Sequence, residues 1–356
     1  MRNTEKYAGK RVLVVGMARS GIAAAQLLCK AGAHVIINDS KTAEKLGDSL
    51  KPLENLPLER RLGCPAMECL DGIDAMVISP VVPDNAPFVL KAKEMGVYVT
   101  GELEMAYQLS SGEMVAITGT NGKTTSSRMI EQAFADAGLN YFANRSGANL
   151  ISGITAEFAM HSTLTGRPKC QFAVIECDEA ASKTVLKYLK PEVIVATNVF
   201  RDQLDRYGEI THTLNNIIEG IHHTPESTLC INADCSLIAS IPAQVPNPVV
   251  RFGVNVPLGG DDLTEISDAP HCIHCKTEYV YDYRTYGHLG AFRCPKCGYH
   301  REAPQVAVTA VLNLGVDTSD VTMAIGGQEY AVHINLPAAY NLSLIHISEP
   351  TRQAEI

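Results

Sequence analysis

The stretch Val115–Thr125, VAITGTNGKTT, decides how the rest of the chain is read. Its apolar start, Met114 to Ile117, predicts a buried strand, and Ser126 to Ala137 carries a helical period beyond the glycines. A turn from strand to helix leaves several backbone N–H groups aimed at one spot, with the positive end of the helix dipole behind them. In such a turn Gly119 and Gly122 let the backbone approach a phosphate. Lys123 reaches the terminal phosphates and the Thr124 hydroxyl holds Mg²⁺. The strict pattern G-x-x-x-x-G-K-[ST] is not met, because Ile117 stands at its first glycine. A glycine-rich turn that happens to contain lysine is the plainer account, but the strand–turn–helix context favours a nucleoside triphosphate site. Its candidate residues are Gly119, Thr120, Asn121, Gly122, Lys123, Thr124 and Thr125, with Lys123 also a catalytic group.

With 356 residues the chain has room for two to three domains, and 46% hydrophobic content supplies their cores. A net charge of −9 argues against general binding to nucleic acid or anionic membranes. The start, MRNTEKYAGKR, has no apolar leader, and no run approaches the ~18 apolar residues of a spanning helix. These features predict a cytoplasmic protein without a transmembrane segment. Its 11 cysteines are then expected to be thiols or metal ligands rather than disulfides. Cys29, Cys64, Cys69, Cys170, Cys177, Cys230 and Cys235 stand singly in apolar context, as buried thiols do.

Toward the N-terminus, Arg11–Val15 predicts a strand, Gly16-Met-Ala-Arg-Ser-Gly21 a turn, and Ile22–Ala31 a helix. A second strand, Val35–Asn38, ends at Asp39, and further strands are expected at Ala75–Ile78 and Val97–Val99. This is the β-α-β outline of a nucleotide-binding half. The glycine spacing is not G-x-G-x-x-G, so close helix–strand packing explains these glycines as well as ligand contact does.

Beyond the loop, Asn144–Asn149 precedes a helix, and the buried strand from Phe172 ends in Glu176, Cys177, Asp178 and Glu179. A carboxylate at a strand's C-terminal edge beside the loop suits Mg²⁺. Period-two alternation does not let all three acids point inward, and Glu176 is the favoured ligand. The strand from Val193 runs into a dense polar segment in which Asn198, Asp202 and Asp205 are candidate nucleotide-site residues, with Arg201 and Arg206 available for phosphate. A charge-laced surface helix is the plainer account of that segment. Strands are also expected at Thr228–Asp234, Val249–Gly253 and Gln328–Ile334.

Cys272-x-x-Cys275 and Cys294-x-x-Cys297, with residues 276–293 between them, offer four thiolates for a tetrahedral Zn²⁺. Strand character at Tyr279–Tyr283 makes this a small zinc ribbon, about residues 268–300. Four sulfurs leave no open coordination position, so the metal is structural.

The wording TGTNGKTT resembles the ATP loop of the Mur ligases, which join amino acids or ammonia to cell-wall precursors through an acyl phosphate. Residues 9–28, 74–87 and 99–109 resemble the N-terminal domain of the glutamate-adding branch, which acts on UDP-N-acetylmuramoyl-L-alanine. That resemblance implies that Gly16, Ser20, Gly21, Asp39, Ser40, Ser79 and Pro80 bind the uridine diphosphate part of a precursor; Val81 stands where that branch usually has Gly. NRSGAN, ECDEA, TNVFRDQLDRYGE, CINAD and RFG resemble another branch, the Mur ligase-type subunit of lipid II isoglutaminyl synthases. That branch amidates the stem D-glutamate with ATP and ammonia from a glutaminase subunit. Gln203 stands where the glutamate-adding ligases carry His, as in the amidating branch, which also carries an inserted zinc ribbon. By the same resemblance Asn232 and Asp234 face the adenosine, and Cys235 replaces a frequent second Asp.

The expected architecture is α/β: a Rossmann-like N-terminal domain over residues 1–112, and a P-loop Mur ligase central domain with an inserted zinc ribbon over 113–341. Residues 342–356 have no helical period, carry Pro350 and resemble a translated sequencing adapter. They are expected to be non-native, with a third domain missing and the chain inactive alone. The two resemblances meet at GTNGKTT, by natural fusion or by assembly of two reads across a shared word. The implied function is ATP- and Mg²⁺-dependent amidation of lipid II. The alternatives are addition of D-glutamate to UDP-N-acetylmuramoyl-L-alanine and an ATP-binding regulatory module without turnover.

Overall fold

The computed structural model describes residues 4–79, 82–83, 85–109, 113–144, 150–161, 169–200, 209–258, 269–315 and 318–335. In chain order the first elements are β1 (Arg11–Val15), α1 (Arg19–Lys30), β2 (His34–Asp39), α2 (Ala43–Leu46), β3 (Leu58–Leu62), β4 (Ala75–Ile78), α3 (Pro87–Glu94), β5 (Tyr98–Gly101) and α4 (Glu102–Leu109). Next come β6 (Glu113–Thr118), α5 (Lys123–Asp136), β7 (Tyr141–Ala143), α6 (Ile151–Met160), β8 (Phe172–Glu176), α7 (Glu179–Tyr188), β9 (Val193–Ala196) and α8 (Glu209–His222). The last are β10 (Thr228–Asn232), β11 (Val249–Val254), β12 (Val280–Tyr286), β13 (Leu289–Arg293), β14 (Val306–Leu314), β15 (Ser319–Ile325) and β16 (Gln328–Ile334). By internal contacts the chain falls into two units, Met1–Glu113 with Asn140–Ala173, and Met114–Leu139 with Val174–Ile356.

The first unit holds a parallel sheet in the order β3-β2-β1-β4-β5. RVLVV of β1 and AMVI of β4 are almost wholly buried, as parallel strands covered on both faces must be. Leu13, Ile36, Met76 and Ile78 pack with Val89 and Ala92 of α3. Helix α6 packs on α1 and α4, and the Lys30 ammonium donates to the Ala159 carbonyl at 3.3 Å.

In the second unit β6, β9, β10, β11 and β14 are parallel neighbours, and β15 and β16 extend the sheet antiparallel. The order is β16-β15-β14-β11-β10-β9-β6-β8. VIVA of β9 is buried throughout, and Ile194, Ala196, Leu229 and Ile231 pack with Ile217 and Ile221 of α8. Strands β12 and β13 form a separate antiparallel hairpin in the connection between β11 and β14. The parallel strands send their C-terminal ends to one edge, where ligands of open α/β sheets bind.

An α/β fold with parallel sheets is therefore what the sequence led us to expect. Helices α1 and α5 start earlier than the apolar period suggests, at Arg19 and Lys123 instead of Ile22 and Ser126. Their first turns are polar, so hydrophobic periodicity does not register them. No helix among the described residues is long and apolar enough to cross a membrane. All 11 cysteines are free; Cys69, Cys177, Cys230 and Cys235 are buried, while Cys29, Cys64 and Cys170 are half-buried.

Candidate functional site

Strand β6 ends at Thr118, and four residues later Gly122, with φ +80°, starts α5 from the left-handed region. Gly119 has φ +132°, and a Cβ there would lie 2.1 Å from Thr197 Oγ1. Only glycine fits. The loop is pinned from the end of β9: the Thr120 amide donates to the Asn198 carbonyl at 2.9 Å. The wholly buried Asn198 side chain accepts from the Asn121 amide and donates to its carbonyl, both at 3.0 Å. Thr197 Oγ1 also donates to Asn121 O at 3.0 Å. Asn198, expected at the nucleotide site, is therefore placed as the clamp beneath the loop. Thr197 was not foreseen.

At the loop's mouth Lys123 Nζ lies 2.6 Å from Gly119 O and 3.3 Å from Glu179 Oε1, with both side chains nearly buried. The Thr124 hydroxyl lies 3.2 and 3.1 Å from the two Glu176 carboxylate oxygens. Burial holds the Glu176 carboxyl above its ordinary range, against the opposing pull of the Thr124 hydroxyl and the Lys123 charge. Asp178 instead caps α7, accepting from the Ala180 amide at 3.0 Å. The three acids thus separate into an oxygen pair with Thr124, a helix cap and a lysine partner. A hydroxyl and a carboxylate side by side are hard oxygen donors, which fits Mg²⁺. Thr125 lies in the first turn of α5. Arg201, Asp202, Asp205 and Arg206 fall outside the described residues.

At the end of β10, Asn232 Oδ1 accepts from the Asp234 amide at 3.0 Å. Its Nδ2 is buried with no hydrogen-bond partner among the described residues. Asp234 is wholly buried: Oδ1 meets Arg301 Nε at 2.6 Å and Oδ2 accepts from the Val254 amide at 2.9 Å. Both carboxylate oxygens are therefore taken within the protein. Burial pushes the Asp234 acid upward, against the Arg301 charge. Arg301 was not foreseen, since nothing in the sequence pairs it with an aspartate so distant in the chain.

The four cysteine sulfurs lie within 4.8 Å of one another, Cys272 to Cys297 at 3.5 Å and Cys275 to Cys294 at 3.3 Å. Tetrahedral Zn–S bonds of about 2.3 Å imply S···S separations near ~3.8 Å, so the set fits that ion. The two knuckles share one backbone design. The Lys276 amide bonds to Cys272 O and the Gly298 amide to Cys294 O, and both residues have positive φ, +61° and +78°. The amides of Cys272 and Cys294 then bond to Thr277 O and Tyr299 O. The Thr277 hydroxyl and amide bring the Cys275 thiol down to about 6. For Cys297 the Tyr299 amide favours the thiolate, but burial and the other three sulfurs outweigh it and push the thiol up to about 12. Tyr279 and Phe292 pack against the buried Cys272 and Cys294.

In the first unit, Asp39 Oδ2 accepts from the Met17 amide and Oδ1 from the Lys41 amide, each at 2.8 Å, tying the turns after β1 and β2 together. Gly16 has φ +98° and faces Ser79, while a Cβ on Gly21 would strike Gly16 O at 1.8 Å. Ser20 and Ser79 are buried and Ser40 is exposed; Pro80 lies outside the described residues. Beside them sits Glu102, wholly buried. Burial pushes its carboxyl up to about 7, against a smaller pull from Ser20. Glu102 was also missed, because an acid opening a helix ordinarily reads as a solvated first-turn residue.

Two family models match the chain, the Mur ligase middle domain over residues 117–279 and the Mur ligase MurD-like, N-terminal domain over residues 10–101. The chain is 34% identical over 232 residues to the MurT subunit of lipid II isoglutaminyl synthase (glutamine-hydrolyzing) from Streptococcus pneumoniae, covering 65% of this chain and 50% of that protein. It is 31% identical over 267 residues to UDP-N-acetylmuramoylalanine--D-glutamate ligase from Clostridioides difficile, covering 73% and 56%. The chain thus spans about half the length of these curated relatives. A solved pseudomurein peptide ligase type C from Methanothermus fervidus matches with TM-score 0.61 at 22% identity, over 96% of this chain and 66% of that one. An UDP-N-acetylmuramate:L-alanyl-gamma-D-glutamyl-meso-diaminopimelate ligase from Neisseria meningitides matches at 0.56 and 15% identity, over 98% and 94%. At these identities the structural likeness speaks for the fold.

Proposed function

Because this chain belongs to the Mur ligase superfamily, whose members are ATP-dependent amide-forming ligases, we propose that it binds Mg-ATP at Gly119–Thr125 and serves amidation of the D-glutamate of lipid II in the cytoplasm. The observation that carries the nucleotide reading is the convergence of Lys123, Thr124 and Glu176 at the mouth of a clamped glycine turn. The amidating reading draws on the likeness to the MurT subunit, together with the four-cysteine hairpin and Gln203. In this reading a carboxylate oxygen of the precursor attacks the γ-phosphorus and ADP leaves, and ammonia from a glutaminase subunit then displaces phosphate from the acyl phosphate. Lys123 places a positive charge on the β/γ-phosphates, and the loop amides orient them, so the protein's work is positioning and electrostatics. Thr124 and Glu176 would hold Mg²⁺, which supplies further charge neutralisation when bound. Zn²⁺ belongs to the four cysteines, in a structural role.

The match of residues 10–101 to a MurD-like domain favours a second reading, addition of D-glutamate to UDP-N-acetylmuramoyl-L-alanine. In that reading Gly16, Ser20, Gly21, Asp39, Ser40, Ser79 and Pro80 hold the uridine diphosphate. Calorimetry with Mg-ATP, lipid II and UDP-N-acetylmuramoyl-L-alanine separates the two. Mg-ATP binding with precursor-dependent hydrolysis on lipid II supports amidation. Saturable binding of the UDP-sugar, weakened by Asp39→Ala, supports the second reading, and ATP binding without turnover on either precursor leaves a regulatory module.

A further inference from the structure

The cysteine hairpin is built into the proposed nucleotide site at two separate places. Its tip is the first. The rings of His288 and Phe200 lie 4.5 Å apart, with Tyr286 at 5.9 Å from the same phenylalanine. Gly287 is so close that a Cβ there would lie 3.3 Å from Phe200 Cε1. The Phe200 amide in turn donates to Thr120 Oγ1 at 3.1 Å, inside the glycine turn. His288 is wholly buried, its Nε2 is 3.7 Å from Cys235 Sγ, and its carbonyl accepts from Tyr281.

The base of the hairpin is the second place. The Arg301 amide bonds to Phe292 O at 2.9 Å, and Phe292 packs among the metal-site cysteines. The Arg301 side chain meets Asp234 Oδ1 at 2.6 Å and also donates to Val254 O at 3.1 Å. The Gly290 amide donates to Asp234 O at 3.0 Å, and the Tyr299 hydroxyl to Ser236 O at 2.7 Å. Residues 232–236, the turn expected at the adenosine, are therefore held from outside the sheet by the hairpin.

We propose that the four-cysteine hairpin is a positioning element of the nucleotide site. A soft divalent metal on Cys272, Cys275, Cys294 and Cys297 raises the chain's affinity for nucleoside triphosphate, with His288 and Arg301 as the positioning residues that carry the coupling. This inference rests on reading Gly119–Thr125 as the triphosphate site. The physical reason is order. Four metal–sulfur bonds fix the hairpin's base, a fixed hairpin holds Phe200 and Asp234 in one arrangement, and the loop and the turn meet the nucleotide without first having to be ordered. Coupling of this kind is reciprocal, so the nucleotide must tighten the metal by the same factor.

The test uses the full chain loaded with Zn²⁺. Transfer of the metal to a chelating dye is followed with and without Mg-ATP, and Mg-ATP affinity is measured by calorimetry on the same samples. Nucleotide is expected to tighten the retained Zn²⁺ about fivefold or more, within the ordinary range of coupling between sites. His288→Asn and Arg301→Lys are expected to keep the metal, to bind Mg-ATP several-fold more weakly, and to lose the effect of nucleotide on metal transfer. A hairpin that merely supports the fold moves neither readout in variants that stay loaded and folded. The proposal is overturned if the wild-type chain binds Mg-ATP yet yields Zn²⁺ to the dye to the same equilibrium extent with and without it. It is also overturned if both variants retain wild-type coupling. A wild-type chain that binds no Mg-ATP at all defeats the nucleotide reading itself.

Discussion

The ammonium of Lys123 lies 3.3 Å from the Glu179 carboxylate, in a pair whose side chains are only 11% and 12% exposed. The cation at the mouth of the glycine turn is thus held by an acid and by the carbonyl of Gly119, at 2.6 Å, rather than by solvent. A phosphate must compete for it. Lys123→Ala should weaken ATP binding by about 2–3 kcal/mol, the scale of a charge-assisted hydrogen bond in a partly buried site. Glu179→Gln should strengthen it, because a negative charge near the phosphates is removed. Calorimetry decides; equal affinities in all three proteins would move the site elsewhere.

Glu176 and Thr124 are expected to govern the metal-dependent part of nucleotide binding. Glu176→Ala should abolish most of the gain that Mg²⁺ gives to ATP affinity while sparing metal-free binding. The Glu176 carboxyl is held above its ordinary range by burial, so in mild acid it protonates earlier than an exposed glutamate. The Mg²⁺ increment should fall as pH drops toward that range. ATP titrations with and without Mg²⁺ across pH 5 to 8 are the check, and an increment flat with pH in the wild type would contradict the assignment.

The four-cysteine site should hold one Zn²⁺ per purified chain, and Cys294→Ser should lose it. Since Cys294 is buried and packs with Tyr279 and Phe292, loss of the metal should also raise hydrogen exchange across residues 269–300. Elemental analysis of a preparation made without chelators is the measurement. Four freely reactive thiols and no zinc in the wild type would defeat the prediction.

Glu102 should make the chain's stability depend on pH in a definite direction. Its acid is raised from 4.5 to about 7 by burial, so the folded form favours the proton. The associated stability is fully present below about 4.5 and is lost as pH rises through about 7. At pH 8 the deficit is of order ~3 kcal/mol at most. Glu102→Gln should therefore melt higher than the wild type at pH 8 and close to it at pH 4.5. Thermal melts at the two values test this; a gain confined to acid would reverse the sign.

Much of the fold was legible because parallel strands covered on both faces spell themselves out as unbroken apolar runs. RVLVV and AMVI were read to both limits, and VIVA from its first residue. The glycine turn and the paired C-x-x-C knuckles were legible for a related reason, since each is a local design whose parts lie a few residues apart. Groups whose partners are distant in the chain were not. Asp234 could be read as a strand-end acid, but only the folded chain shows that it belongs to Arg301. Alternation favoured Glu176 among three neighbouring acids, yet it did not foresee that α7 begins at Glu179 and turns that residue onto Lys123. Nor does the apolar character of α6 say that its partners are α1 and α4.

The glycine turn departs from the strict phosphate-loop pattern at Ile117, and the reason carries a consequence. At that position the chain is still inside β6, and the side chain is fully buried. The curved arc is accordingly short, and its stiffness comes from the adjoining strand's Thr197 and Asn198, against which Gly119 is pressed. The cradle is a joint between two strand ends rather than a self-contained hook. Grafting VAITGTNGKTT onto another sheet would transfer the letters without the shape, unless Thr197 and Asn198 travelled with it.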